Sequence, residues 1–467
     1  MATTNNLKKG LNRKLWEMCN NAPSTATAGT QIISSYHFRQ QQLYVSSATT
    51  QFLYLPEEDG YIQIPNAGFA GTFGAGTAGA SGCVGIIGTA TAGTPTTLTT
   101  NQTILRDLRG YKIHITSGAG AGDIVDILSN TIGANSVITA NFSTTINNTS
   151  VYRLLTPRWY FVNGGTQSVG TVKMYCYALN TWSNLATTNL PSNITNGSRM
   201  ISTPSIVDGA FQNFASGTAT AATTNTLSNS AKAWTTNQWT NSQVRITAGT
   251  GNGQVRTISS NTGTQLTVSV NWTTIPDATS QYVIEGNDDY LYFVTFAANS
   301  VYRYSISGNS WTVLASRASA MASGASLHWI HNVNDSAWTN ENSIINGRRL
   351  YSFRGNSTTT LDYYDIPSNT WTNDVSYAPK TEALSTGSQF IYKNNFIYIQ
   401  FNNSGRFFKF DLVKSAMDGF HVLAYPQTTA LDGDRLFDFT YKDGATEVVF
   451  LYYIIQNSNI VFRTLVI

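Results

Sequence analysis

The chain has 467 residues, of which only 11% are charged while 12% are aromatic, with 24 Tyr, 22 Phe and 10 Trp. Glu and Lys are scarce and Thr, Ser, Asn and Gly fill their place, a balance that favours strands joined by polar turns over helices. The net charge of +3 is too small to argue for a nucleic-acid surface. No run of about 20 apolar residues reads as a membrane span, and three widely spaced cysteines, Cys19, Cys83 and Cys176, spell neither a disulfide framework nor a zinc cluster.

Residues 1–30 read as an N-terminal arm. Leu7, Leu11, Leu15 and Trp16 lie at helical spacing with Lys and Arg between them, which predicts a short amphipathic helix over 7–19. It either packs on the body or reaches a neighbouring subunit. The arm lacks the apolar core of a signal peptide, so synthesis in a cytoplasm is expected. Residues 31–65 give strand-like runs, QIISSYHF, QLYVSS, QFLYLP and YIQIP, with a hairpin turn at Glu57–Gly60. Residues 67–82, AGFAGTFGAGTAGASG, read as a long loop. No Gly-Lys-Ser/Thr follows it, so it is not a phosphate cradle.

Residues 86–155 and 217–286 are two copies of one 70-residue stretch. GTATA at Gly88–Ala92 matches GTATA at Gly217–Ala221. Ile115–Gly122 matches Ile246–Gly253, sharing a Gly-x-Gly-x-Gly step that reads as a hairpin tip. Ser129-Asn130-Thr131 matches Ser260-Asn261-Thr262. Short alternating runs between Gly and Asn turns predict a small β-barrel or sandwich in each.

What remains, 31–85, 156–216 and 287–467, carries a repeat. YCYALNTW (Tyr175–Trp182), YRYSISGNSW (Tyr302–Trp311) and YYDIPSNTW (Tyr363–Trp371) each join an aromatic strand to an Asn-x-Trp turn. FLYLPEEDGYIQIP is a diverged copy, with Tyr61 near the place of Trp. Trp311 and Trp371 are 60 apart, and Trp182 and Trp311 are 59 apart once the insert is removed. That spacing approaches the roughly 50 of a kelch repeat. It predicts about six units, near 31–66, 157–200, 287–325, 345–385, 387–425 and 430–467. The expected fold is all-β, a kelch-like β-propeller of about six blades with two inserted small β-barrel or sandwich domains. The terminal VFRTLVI is apolar enough to pair with an N-terminal strand and close the ring.

Chemistry is thinly signalled. His328 and His331 form His-x-x-His without further ligands nearby, and read as loop or blade-edge residues. Asp288-Asp289 reads as a turn before a strand. No motif converges two carboxylates as a glycosidase requires. The turns lack the frame of sialidase Asp-boxes, the Cys and His positions do not reproduce the copper site of galactose-oxidase-like enzymes, and no Gly-x-Ser-x-Gly elbow occurs. No catalytic, cofactor-binding or metal residue is nominated, and the chain is read as a non-enzyme.

The repeats resemble kelch motifs, although the double-Gly strand of strong kelch repeats is mostly missing. The segment ITAGTGNGQVRTISSNTGTQLTVSVNWTTIPDATSQYVIEG resembles a module of bacteriophage tail and other virion proteins, and FRQQQLYVSSATTQFLYLPEEDGYIQIPNAGFAGTFGAG is similar to such proteins too. Within them, the nozzle subunits of short-tailed phages resemble β-propellers. That resemblance implies a virion tail protein and a homo-oligomer, with a hexamer favoured. It also implies DNA passing through a lumen, and neighbours such as adaptor, fibres or tailspikes. A second expectation is a fibre, baseplate or decoration protein that binds host glycan through the inserts. A third is a glycan-cleaving or oxidising enzyme.

Overall fold

The computed structural model describes residues 17–25, 29–36, 42–45, 51–56, 58–70, 73–74, 76–296, 298–331, 341, 345–355, 358, 360–375, 384, 388–393, 395–401, 407–413, 416–417, 435–443, 446–455 and 460–466. The described residues are all-β, with antiparallel pairing throughout and no helix. None of their elements is a helix long and apolar enough to cross a membrane.

Six four-stranded sheets follow one another. The first runs Gln31–Ser34, Gln42–Val45, Gln51–Leu55 and Gly60–Gln63. The second is Ala78–Gly82, Arg158–Val162, Val172–Cys176 and Thr181–Asn184. The third is Arg199–Thr203, Asn287–Thr295, Ala298–Ser305 and Ser310–Ser316. The fourth is His328–Trp329, Arg349–Phe353, Leu361–Asp365 and Thr370–Val375. The fifth is Gln389–Lys393, Phe396–Gln400, Phe407–Asp411 and Ala416–Met417. The sixth takes Arg435–Asp443, Thr446–Ile454 and Val461–Val466, and borrows its last strand, Glu17–Met18, from the other end of the chain. Glu17 pairs Arg463 and Met18 pairs Phe462, the closure anticipated for VFRTLVI. The helix expected over 7–19 lies outside the described residues up to 16, and its end is this strand.

The first strands of the six sheets touch in a closed cycle, each meeting the next and the sixth meeting the first. The arrangement is β-propeller-like. Neither face of such a sheet is buried by the sheet alone, so every seam needs a core of its own. Each seam has one. Leu43 and Leu53 meet Trp159 and Phe161 between the first and second sheets. Val162 meets Phe293 and Trp311 at the next seam. Tyr292 meets Trp329 and Tyr364, Phe353 meets Ile397 and Phe410, Tyr398 meets Leu451, and Tyr452 meets Tyr54.

The Tyr–Asn–Trp repeat has a physical cause. Tyr175, Tyr304 and Tyr364 stand directly opposite Trp182, Trp311 and Trp371 across a hairpin, with ring centroids 5.2, 4.9 and 5.5 Å apart. The turn residues Asn180, Asn309 and Asn369 adopt φ of 51°, 43° and 53°, a left-handed geometry that Asn tolerates better than most residues. Their Oδ1 atoms accept the tyrosine hydroxyls at 2.6, 2.7 and 2.7 Å. Two of them also accept a backbone N–H from the sheet before: Ala186 donates to Asn309 and Ala315 to Asn369, both at 2.9 Å. The first sheet keeps the device with other letters. Tyr54 faces Tyr61, and Asp59, at φ 46°, accepts from the Tyr54 hydroxyl at 2.8 Å and the Asn20 N–H at 2.9 Å.

Two expectations need correction. The loop read over 67–82 ends in a strand, Ala78–Gly82, which opens the second sheet. Gly and Ala there are demanded by close approach: a Cβ on Gly79 would strike Ile33 Cδ1, and one on Gly82 would meet the Tyr160 ring. His328 does lie on an edge strand of the fourth sheet, His328–Trp329, but that edge faces the ring centre and is buried. Asp288 and Asp289 belong to the strand Asn287–Thr295 rather than to a turn before it.

Candidate functional site

The duplicated stretches leave the second and third sheets after their first strands and return to the second strands. The earlier copy forms two four-stranded sheets, and the later copy forms one seven-stranded sheet. Their registers correspond. Ile115/Ser117 and Ile246/Ala248 carry the same bulge, and Lys112–Leu155 answers Gln243–Glu285 across paired strands. The Gly-x-Gly-x-Gly steps are tight turns, as expected. Their tips meet: a Cβ on Gly253 would lie 2.5 Å from Gly122 N and 2.6 Å from Ile115 O.

Neither copy hangs free. The earlier copy shares one hydrophobic core with the first and second sheets. Leu105 N donates to Ala178 O at 2.9 Å, and Arg106 reaches Asn180 Oδ1 at 2.8 Å, taking the place that a preceding sheet's N–H fills elsewhere. The later copy shares its core with the third and fourth sheets. It adds Lys232 to Glu341 at 2.7 Å and Asn241 to Arg303 at 2.6 Å.

A buried polar network joins both copies to the third sheet. Asp288 receives Arg153 of the earlier copy in a buried ion pair. Cys83 Sγ donates to it at 2.7 Å, Ser205 N at 2.8 Å and Ser205 Oγ at 2.9 Å. Gln243 of the later copy bridges Asp288 at 3.2 Å and Glu285 at 2.9 Å, and Arg245 closes a bidentate pair on Glu285 at 3.0 and 2.9 Å. Burial opposes the Asp288 charge, but Arg153 and the donors around it outweigh that and hold its carboxyl below the usual range. Burial raises Glu285 despite Arg245, and burial together with Arg153 and Arg245 keeps the neighbouring His114 ring neutral. Such a network is costly to break, because a lone buried charge remains.

Above this network opens a cleft of about 800 Å³, walled by both copies and the third sheet. This volume falls in the range of small-molecule sites, about 300–1,000 Å³. Half of its lining residues carry hydroxyl or amide side chains, among them Thr116, Thr257, Thr273 and Asn287, and Arg153, Arg158 and Arg256 stand with them. Arg153 is matched by Asp288. Arg256 bonds only neutral oxygens, those of Asn271, Val255, Gln254 and Thr273, at 2.9–3.4 Å. The Arg158 Nε is buried with no hydrogen-bond partner among the described residues. Asp289 is capped by Ser305 Oγ at 2.7 Å and Ser307 N at 2.6 Å. Ile87 and Val270, 64% and 65% exposed, stand on the walls.

A second cavity, of about 210 Å³, lies where the six first strands converge. Lys393 of the fifth sheet ion-pairs with Asp208, lies 3.8 Å from Asp438 of the sixth, and donates to Thr440 at 2.6 Å. His328 and His331 line the same space. Burial pushes His328 down to about 3 and His331 to about 4, so both rings are neutral near pH 7. Among the described residues no group of three or more His, Cys, Asp or Glu is placed to hold a metal ion. All three cysteines are buried and unbridged.

The sequence reading named Asp288, His328 and His331 but not their surroundings, and it missed Arg153, Arg245, Arg256, Glu285 and Lys393. One signal was available for three of them. The copies differ in charge at matched positions: Val125 against Arg256, Leu155 against Glu285, and His114 against Arg245.

No family model matches the chain, and no curated protein matches it. Among solved structures, a chain of "Crystal Structure of Mitotic Checkpoint Complex" is similar at 8% identity over 97% of this chain and 92% of its own, with a TM-score of 0.37. A likeness of that size carries no argument about this chain.

Proposed function

We propose that the chain is a structural component of a bacteriophage virion, a tail nozzle-type subunit, built as a six-bladed kelch-like propeller. Residues 86–155 and 217–286 are its two inserted domains, and 1–30 are its arm. Several copies, six in the favoured reading, form a ring that carries part of the DNA ejection channel. Adaptor, fibre or tailspike proteins are its neighbours. On this reading the chain is made in the bacterial cytoplasm, ends in the tail and is not an enzyme.

The observation that supports this most is the close docking of the inserts on the sheets that carry them. The inserts share cores with the sheets that carry them, and Asp288 ties both copies to one strand. A load-bearing ring needs stiff subunits, whereas a tethered module would have few contacts with its carrier. The axis of the six sheets is occupied by side chains around Lys393, with only about 210 Å³ of space, so a DNA lumen lies between copies rather than through one. Electron microscopy of the purified chain and of virions tests this, with a closed ring expected and a lone monomer absent from virions opposing it.

The cleft supports a second reading, a glycan-binding tail fibre, baseplate or decoration protein, because its hydroxyl- and amide-rich lining suits a polyhydroxylated ligand.

A further inference from the structure

The cleft between the duplicated stretches has a charge pattern that narrows its ligand. Of its charged lining residues, Arg153 and Asp288 cancel as a buried pair. That leaves two arginines, Arg158 and Arg256, and one carboxylate, Asp289, in the lining, a surplus of one cation. One surplus cation matches a single anionic group. It does not suit a polyanion, since nucleic-acid binding draws on many phosphate contacts at once. Arg256 is half-buried, bonds only neutral oxygens, and has its charge disfavoured by burial. The Arg158 guanidinium lies against Tyr160 and Cys176, and its Nε is buried with no hydrogen-bond partner among the described residues. A planar guanidinium with no carboxylate partner is well suited to take one from a ligand. Around the two arginines, Thr116, Thr257 and Thr273 line the cleft with hydroxyl groups. The exposed Ile87 and Val270 offer apolar patches to the C–H faces of sugar rings.

We propose that this cleft binds a short acidic oligosaccharide, its anionic group held by Arg256 and Arg158 and its rings lying between Ile87 and Val270. The inference rests on the glycan-binding reading of the inserts. It commits that reading to one site and one class of sugar. The site exists because the copies have diverged: the earlier copy carries Val125 at the position of Arg256, so a pair of identical copies would lack the second arginine.

The test uses the full chain on an array holding oligosaccharides with carboxylated sugars, phosphorylated counterparts and neutral counterparts of the same backbone. The variants are Arg256→Gln and Val270→Asp, the second at an exposed position where folding is little affected. Far-ultraviolet circular dichroism confirms that each is folded. The expected result is binding of carboxylated or phosphorylated chains over neutral ones, weakened about tenfold or more in both variants. The two acidic arms show which anionic group is preferred. Binding that ignores acidity, or that survives both substitutions, overturns the site while leaving glycan binding standing. No binding to any oligosaccharide overturns the site and the glycan reading together.

Discussion

Asn369→Ala is the sharpest probe of how the sheets are held. Asn369 sits at φ 53°, and a non-glycine residue without a polar side chain pays about 1–2 kcal/mol in that left-handed geometry. The substitution also removes the acceptor of the Tyr364 hydroxyl, which is 1% exposed and bonded at 2.7 Å. A buried hydroxyl left unsatisfied costs about 1–3 kcal/mol. The second donor, Ala315 N, is half-buried and water replaces much of its bond. The total is about 2–5 kcal/mol from these two terms. Asn369→Gly removes the conformational part and should cost only about 1–3 kcal/mol. Asn369→Asp should lie close to the parent, since Asp59 does the same work in the first sheet. Global unfolding of so long a chain need not be two-state, so the readout is amide hydrogen exchange in Leu361–Asp365 and Thr370–Val375, which reports local opening. A cycle with Tyr364→Phe should show coupling of about 1 kcal/mol or more. Gly proving as damaging as Ala, or strictly additive effects of Tyr364 and Asn369, would refute the reasoning.

Asp288→Ala should destabilise by about 3–5 kcal/mol, because it strands Arg153 in a buried site. Exchange protection should fall in Val151–Leu155 and Gln243–Ala248 together, and loss in one copy alone would contradict the shared network. Gly253→Ala should cost more than Gly110→Ala in melting temperature. Both have φ near +85°, but a Cβ at Gly253 meets backbone of the other copy while one at Gly110 meets nothing within 4 Å. Acidification should weaken the ring centre. An unfolded histidine takes its proton near 6.5, whereas burial pushes His331 down to about 4, so its contribution is full above pH 6.5 and is lost as pH falls toward 4. Exchange in Gln389–Lys393 followed from pH 7 to 5 should depend less on pH in His331→Gln. Asp438 works the other way, pushed up to about 6 by burial against Lys393, and gains stability as pH falls from 6 toward 4. Asp438→Asn should therefore steepen the acid loss.

The hairpins were legible because their logic is local. A tyrosine, a left-handed Asn and a tryptophan lie within eight residues and recur at fixed spacing. Even the diverged Tyr54–Asp59–Tyr61 unit could be placed. Ala78–Gly82 was illegible because Gly and Ala carry no alternating pattern, and the reason for them, Ile33 and Tyr160, lies in other strands. His328–Trp329 is too short to register as a strand. Site chemistry was hardest to read. Arg153 and Asp288 are 135 residues apart, and Lys393 and Asp208 are 185 apart. No spacing rule joins such pairs before the sheets close into a ring. Charge differences between the two copies were the one trace of the cleft in the sequence.

Electron microscopy of the purified full-length chain, paired with mass spectrometry of virions, tests the central proposal most directly. The account predicts closed rings of several copies around a lumen, with the inserts held in one fixed pose on every subunit and the chain present in the tail. A stable monomer whose inserts take many poses, missing from virions, would contradict it.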